Sequence, residues 1–318
     1  MQKATLGMNY RMLSANLQNM SGKMYELRQQ AATGKKMNRP SDDPGAIRPV
    51  LNYRVEMAST DRYVNHINVA QGEMEILDSN LDQLENILVS VKETGIAAIN
   101  GSVNDDGLAT YGDRVGQLFD EMMQIANVQS KGKYIFSGYR EATPPFAENM
   151  AYVPDSSYGF DRPGAASYHG DENAKHVEIA PGKKIQAGLA GNELFLGDAD
   201  NDGAVDPGGV DLFSLLKDFE QAIRSNDTTA MNDGLKKLEQ GADQIRRLRG
   251  RMGNNAWRID RAERHMSEAA IEFEEIISGY EDADALEAFS KLVQHETAFE
   301  AALNVTTRVS RLSILDYM

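Results

Sequence analysis

The chain of 318 residues has no cysteine. That excludes disulfides, thiol nucleophiles and thiolate metal sites. Positive charge is also scarce: 33 Lys and Arg stand against 48 Asp and Glu, a formal net charge of −15. So acidic a chain offers no field for nucleic acid or an anionic bilayer. No apolar run approaches the roughly 20 residues of a membrane helix, so membrane insertion is not expected. Near the N-terminus, Asn9, Arg11, Asn16 and Gln18 interrupt what would be a signal-peptide core. A cytosolic protein has this pattern, and so does one exported without cleavage. Aromatics make up only 7% of residues, with a single tryptophan, which suits long helices better than a wide globular core. No nucleophile–base pair or complete metal shell can be assembled, so neither an enzyme nor a cofactor is expected. His66, His265 and His295 fall among charged residues of helical stretches, as surface or interface groups do, and His169 and His176 flank GDENAK, where they could join a metal site.

What the chain has in quantity is three-four apolar spacing. From Leu6 to Ala31 the apolar positions are Leu6, Tyr10, Leu13, Leu17, Met20, Met24, Leu27 and Ala31, the spacing of a coiled-coil seam. A second seam runs Tyr63, Ile67, Ala70, Met74, Leu77, Leu81, Leu84, Leu88, Val91, Gly95 and Ala98, with Gly95 a local weakness. Ahead of it, RPSDDP offers Ser41 or Asp42 as a cap and Pro44 for the first turn. Pro49 marks a bend or a slightly later start. After NDDG a third seam follows: Leu108, Tyr111, Val115, Leu118, Met122 and Ile125. A fourth extends from Leu235 to Ile277, interrupted by Arg249 and Glu263, polar intrusions that can set register. The fifth runs Phe289, Leu292, Glu296, Phe299, Leu303 and Thr306.

Between Gly132 and Gly209 glycine and proline cluster, and short apolar runs appear in YIFSGY, HVEIA and NELFLG. These predict a small strand-rich insert. Asp211 to Ser225 returns to helix, with Leu212, Leu215, Leu216, Phe219 and Ile223 on one face. The fold class expected is mainly α: a long coiled-coil-like helical rod built from both chain halves, with an inserted β-rich domain. The expected division is terminal helices at 1–42 and 284–318, a helical rod at 43–132 and 211–283, and an outer domain at 133–210.

The two ends differ in charge. Residues 1–36 carry six basic residues with Glu26 alone against them, while residues 281–318 carry seven acids against Lys291, Arg308 and Arg311. The asymmetry suggests that the ends meet. In ALNVTTRVSRLSILDYM the apolar residues spread around much of the helical wheel, and a helix apolar on several faces must be buried on several faces. Both ends are therefore expected to order fully only on assembly with other subunits. The interface residues expected are Leu6, Leu13, Leu17, Met20, Leu27, Phe289, Leu292, Phe299, Leu303, Val305, Val309 and Leu312.

One loop resembles a metal site. Asp198, Asp200, Asp202, Gly203 and Asp206 match calcium-loop positions, but position twelve is Gly209 in place of the bidentate glutamate. The alternative is a solvated acidic surface loop.

QQAATGKKMNRPSDDPGA resembles the N-terminal signature of the flagellin family, and FSKLVQHETAFEAALNVTTRVSRLSILDYM resembles its C-terminal helix. GKYIFSGYREATPPF and the ending LSILDYM resemble the junction-forming members of that family. The resemblance covers both helical halves and the start of the insert; Gly197 to Asp211 departs from it as an added loop. It implies a structural protein of the bacterial flagellum, exported unfolded through the flagellar type III channel without a cleaved signal. The partners implied are identical subunits, hook-associated protein 1, flagellin and an export chaperone. Flagellin itself, or a secreted coiled-coil binding module, is the alternative.

Overall fold

The structure, a computed structural model, describes residues 6–101, 104–155, 158 and 164–315. The side chains at 6–7, 9–10 and 309–315 fall outside that description. Among the described residues the chain forms two compact units, one from residues 1–61 with 268–318 and one from residues 62–267.

Among the described residues six α-helices dominate: α1 (Leu6–Thr33), α2 (Ile47–Asn100), α3 (Asp105–Ala126), α4 (Leu212–Arg224), α5 (Thr228–Glu281) and α6 (Ala285–Leu315). Their starts follow from local chemistry. Asn104 accepts a hydrogen bond from the Gly107 amide at 3.1 Å to cap α3, and Asp105 and Asp106 sit against its positive end. Before α2, the Asp43 carboxylate accepts from the Gly45 and Ala46 amides, each at 3.0 Å. Asp42 instead holds the preceding turn through the Asn38 and Arg39 amides. The expected cap at Ser41 or Asp42 thus shifts to Asp43. Pro49 lies in the first turn of α2, where no intrahelical donor is lost.

The larger unit has one core. Ile67, Met74, Leu77, Leu81, Leu84, Leu88 and Val91 of α2 are buried with Leu238, Ala242, Ile245, Met252 and Ile259 of α5. The α3 seam contributes Leu108, Val115, Leu118, Met122 and Ile125 to the same cluster. Gly95 is a site of close approach: a Cβ there would stand 2.3 Å from the Phe219 ring. Arg249 grips Asp78 at 2.8 and 3.1 Å and Asp82 at 2.8 Å, tying α5 to α2 in one register.

The described residues of the insert hold six short strands: β1 (Gln129–Ser130), β2 (Lys133–Tyr134), β3 (Phe146–Glu148), β4 (Ala166–Tyr168), β5 (His176–Ala180) and β6 (Lys183–Gln186). They pair sequentially as three antiparallel two-stranded sheets. HVEIA forms β5 as expected, whereas NELFLG does not form a strand: Asn192–Leu196 is a π-helical turn closed by Gly197. A short buried apolar run has no periodicity to distinguish strand from helix. The turn sends Leu194 and Phe195 into the core, and Gln244 of α5 fastens its exit by donating to the Leu194 and Val210 carbonyls and accepting from the Val210 amide.

Five of the ten phenylalanines pack together here. Phe195 packs on Phe136, Phe146 and Phe213 at centroid distances of 5.3, 5.1 and 5.4 Å, and Phe213 reaches Phe119 at 5.8 Å. The cluster fastens the small sheets to α3 and α4, since isolated two-stranded sheets are marginal alone. The glycine of YIFSGY has a specific task. Gly138 adopts φ +68°, and Asp171 folds over it to accept from the Tyr139 and Asn173 amides.

Candidate assembly helices and the acidic loop

In the smaller unit, α1 ends at a left-handed glycine, Gly34, whose amide donates to the Gln30 carbonyl at 2.9 Å. The next residues form a clasp. The Lys36 amide donates to the Glu281 carbonyl at 2.7 Å, and the Ala283 amide to the Gly34 carbonyl at 2.8 Å. The Glu281 side chain is only 5% exposed and takes Lys35 at 2.8 Å and Arg54 at 2.5 Å. Burial pushes this carboxyl up, but hydrogen bonds and charge from Lys35 and Arg54 outweigh it and hold it below the usual carboxylate range. Asp284 then caps α6 by accepting from the Leu286 and Glu287 amides. Beside the clasp, Met37, Ala46 and Val50 form a small core with Ile47 and Ile277.

The clasp lays α1 antiparallel to α6, joined further along by Arg28 and Glu296 at 2.9 Å. The basic and acidic chain ends therefore meet. The expected interface residues divide between two environments. Leu27 is buried, and Leu13, Leu17, Met20, Leu292 and Phe299 are half-buried on the faces these helices turn toward each other. Phe289, Leu303 and Val305 are exposed. Leu6, Val309 and Leu312 lie on the helices, but their side chains are outside the described ones.

Further exposed apolar residues join them. Met8 and Met12 on α1 are 66% and 63% exposed, and Leu286 and Val293 on α6 are 84% and 60% exposed. Tyr25 is exposed as well. These do not lie on the single three-four seam sought in the sequence. A second stripe offset from the first was the available signal: Met8, Met12 and Ala15 repeat by four and three, and Leu286, Phe289 and Val293 by three and four. The clasp residues Lys35, Arg54 and Glu281 had no sequence signal, because only the fold brings positions so distant in the chain together.

In the acidic loop, carboxylate oxygens of Asp198, Asp200 and Asp202 lie within 4.8 Å of one another. Asp206 turns away and accepts from the Ala199 amide at 2.7 Å. Asp198 is buried and accepts from the Asp202 and Gly203 amides; burial raises its pKa against those bonds.

Long helices in both chain halves, with a clasp joining α1 to the α5–α6 turn, define a mainly helical protein. Residues 5–141 match the bacterial flagellin N-terminal helical region. Over nearly the whole length, the chain is similar to flagellar hook-associated protein 3 of Escherichia coli, with 22% identity over 323 residues, covering 96% of each. Two solved structures share the fold. A hook-associated protein from Vibrio parahaemolyticus has TM-score 0.63 and 18% identity, covering 76% of this chain and 100% of that one. The flagellar junction protein FlgL of Legionella pneumophila has TM-score 0.57 and 13% identity, covering 75% and 100%. The chain is thus similar in sequence to flagellar hook-associated protein 3 over nearly its whole length and shares its fold with solved hook-associated and junction proteins.

Proposed function

We infer that this chain is a structural subunit of the bacterial flagellum that forms the junction between hook-associated protein 1 and the flagellin filament. The observation that carries this reading is the likeness to hook-associated protein 3 across 96% of both chains. It includes the insert and both terminal helices, so it reaches well beyond the flagellin N-terminal region at 5–141. The helix pair supports the same role. Burial on one side and exposed Met8, Met12, Leu286, Phe289 and Val293 on others describe helices made for more neighbours than one chain provides. Identical subunits, hook-associated protein 1 and flagellin are the partners proposed, and an export chaperone is proposed to cover the apolar terminal helices before assembly. In this reading the terminal helices form the assembly core, the helices of both halves the rod, and the insert the outer domain.

A deletion strain tests the role. It is expected to build hooks, shed flagellin into the medium and regain filaments when the gene is restored. Normal filaments in its absence would overturn the reading. The flagellin alternative predicts that purified chain polymerises into long filaments; the junction reading predicts that it does not.

A further inference from the structure

In the larger unit, the α2–α5 pair carries an open groove of about 870 Å³ on one flank. Buried Met74 and Met252 lie at its base, and Gly253, Ala256 and Trp257 line its α5 side. Trp257 is the chain's single tryptophan. It stands 59% exposed, with the Arg261 guanidinium 5.6 Å from its ring centroid. Tryptophan is among the side chains most enriched at the centres of interfaces. A Cβ at Gly253 would meet nothing within 4 Å, as at Gly22 of α1. Packing inside the chain therefore gives no reason for a residue that costs a helix about 1 kcal/mol. Gly95, Gly234 and Gly241, by contrast, are each pressed by a neighbouring side chain. The groove is also acidic. Glu75, Asp78, Asp82 and Asp260 line it, and Arg249 is the one cation among the lining residues. Arg249 is engaged by Asp78 and Asp82, and Arg264 by Asp260. Glu75 is exposed and has no ion-pair partner among the described residues.

The opposite flank of the same helix pair carries a basic projection. Strands β5 and β6 form a hairpin that turns at Pro181 and Gly182, with Gly182 at φ +70°. Lys183 and Lys184 follow the turn. Both are exposed, and neither has an ion-pair partner among the described residues. Glu178, opposite Lys184 in the register, accepts from the Gly182 amide at 2.9 Å. The hairpin is held level with the groove. Asn255 donates to the Gln186 carbonyl at 3.1 Å, and Lys175, just ahead of β5, reaches Glu73 at 3.8 Å. Asn255 lies two residues from both Gly253 and Trp257, and Glu73 two from Glu75. Two residues turn a helix by about 200°, so hairpin and groove occupy opposite flanks at one height. A chain cannot seat its own hairpin in its own groove, whereas a second copy standing beside it can.

We propose that the β5–β6 turn of one copy, Pro181 to Lys184, seats in the α2–α5 groove of the copy beside it. Its lysines meet the groove's carboxylates and the exposed indole of Trp257, and the opposite charges steer the contact and fix its register. The contact is heterologous: each copy gives its hairpin on one flank and its groove on the other. It therefore runs from subunit to subunit around a layer instead of closing on a pair. The inference rests on the assembly role proposed above, and it assigns a contact to the larger unit, apart from the terminal helices.

The absence of cysteine makes a direct test available. Full-length chains carrying Glu75→Cys or Lys184→Cys, distinguished by tags, are expressed together in flagellated cells lacking the native gene. Intact flagella are then isolated and oxidised. The expected product is the mixed Glu75→Cys/Lys184→Cys dimer, in excess over both like-with-like dimers. Predominance of like-with-like dimers, or no cross-link in flagella that contain both variants, would overturn the docking while leaving the junction role intact. Absence of even the unmodified chain from flagella would overturn both. A second arm does not depend on cysteine. Lys184→Glu and Glu75→Lys are each expected to lower the amount of chain in flagella, and the two combined in one chain to restore it. Single variants incorporated at the native level, or a combined variant no better than the worse single one, would overturn the contact.

Discussion

At the residue scale, two glycines that look alike in sequence have opposite roles. Gly95 falls on the α2 seam, where helix propensity alone makes it a weakness. Its neighbour explains it: the Phe219 ring occupies the space a Cβ would need, at 2.3 and 2.7 Å. Gly95→Ala is therefore expected to destabilise the larger unit by about 1–3 kcal/mol through overpacking. Gly22→Ala is expected to stabilise α1 by about 0.5–1 kcal/mol. Denaturant titration of the two variants checks the contrast in sign. Asp211 gives a pH-dependent case. Its carboxylate caps α4 by accepting from the Phe213 and Ser214 amides and the Ser214 hydroxyl. Burial, against those hydrogen bonds, pushes it up to about 6. A raised folded value means that the native state keeps a proton the unfolded chain releases. This contribution is fully present below the unfolded value near about 4 and is lost as pH rises through about 6. Asp211→Asn keeps an acceptor for the two amides and cannot ionise. The thermal midpoint of the native chain, measured relative to that variant, should fall across this pH window. A constant difference would show that Asp211 is not the group responsible.

At the element scale, the long seams were legible because burial on one helical face leaves a period that sequence retains. The positions from Ile67 to Val91, and Leu108 to Ile125, are the ones the core buries. Arg249 was legible as an intrusion, and its pairing with Asp78 and Asp82 gives the physical reason. Asp78 and Asp82 are one turn apart, so without the arginine two like charges face each other uncompensated. Arg249→Ala is expected to cost about 1 kcal/mol, discounted for its partial exposure. Added salt should narrow the gap to the native chain in urea melts. The insert was less legible. Its strands run two to five residues, too short for alternation to show, and its stability comes from phenylalanines distant in sequence. NELFLG was read as a strand because a run buried on every side carries no period at all. The cap of α2 moved to Asp43 for a similar reason: in SDDP three residues can cap, and only the geometry of the following amides selects one. Among the residues proposed for the interface, Leu13 through Leu27 lie on a seam that sequence could identify, whereas the exposed Met8, Met12, Leu286 and Val293 belong to a second stripe with no place in a single-seam reading.

At the scale of the whole molecule, the two units should differ in stability. The larger unit buries a continuous cluster from Ile67 to Ile259. In the smaller, the cluster outside the helix pair is Met37, Ala46 and Val50. Among the described side chains, the α1 seam has only Met24 and Leu27 buried, and α6 contributes Ala288. Opening free energy follows local burial, so α1 and α6 should exchange amide hydrogens far faster than α2–α5 in the isolated chain. The same amides should become protected in flagella, where neighbouring copies would cover the exposed stripes. Hydrogen exchange followed by peptide mass spectrometry separates the helices directly. Equal protection of residues 8–27 and 67–91 in the isolated chain would mean that α1 needs no neighbours, and would remove the reason for assembly. Leu303→Asp provides the functional counterpart. Leu303 is exposed on α6, so a carboxylate there remains hydrated in the isolated chain. The cooperative melt of the larger unit should be unchanged. In an assembly the same carboxylate would be buried without a partner, a cost of several kcal/mol, enough to keep the variant out of flagella. Incorporation at the native level would show that this face of α6 stays open to water in the finished structure.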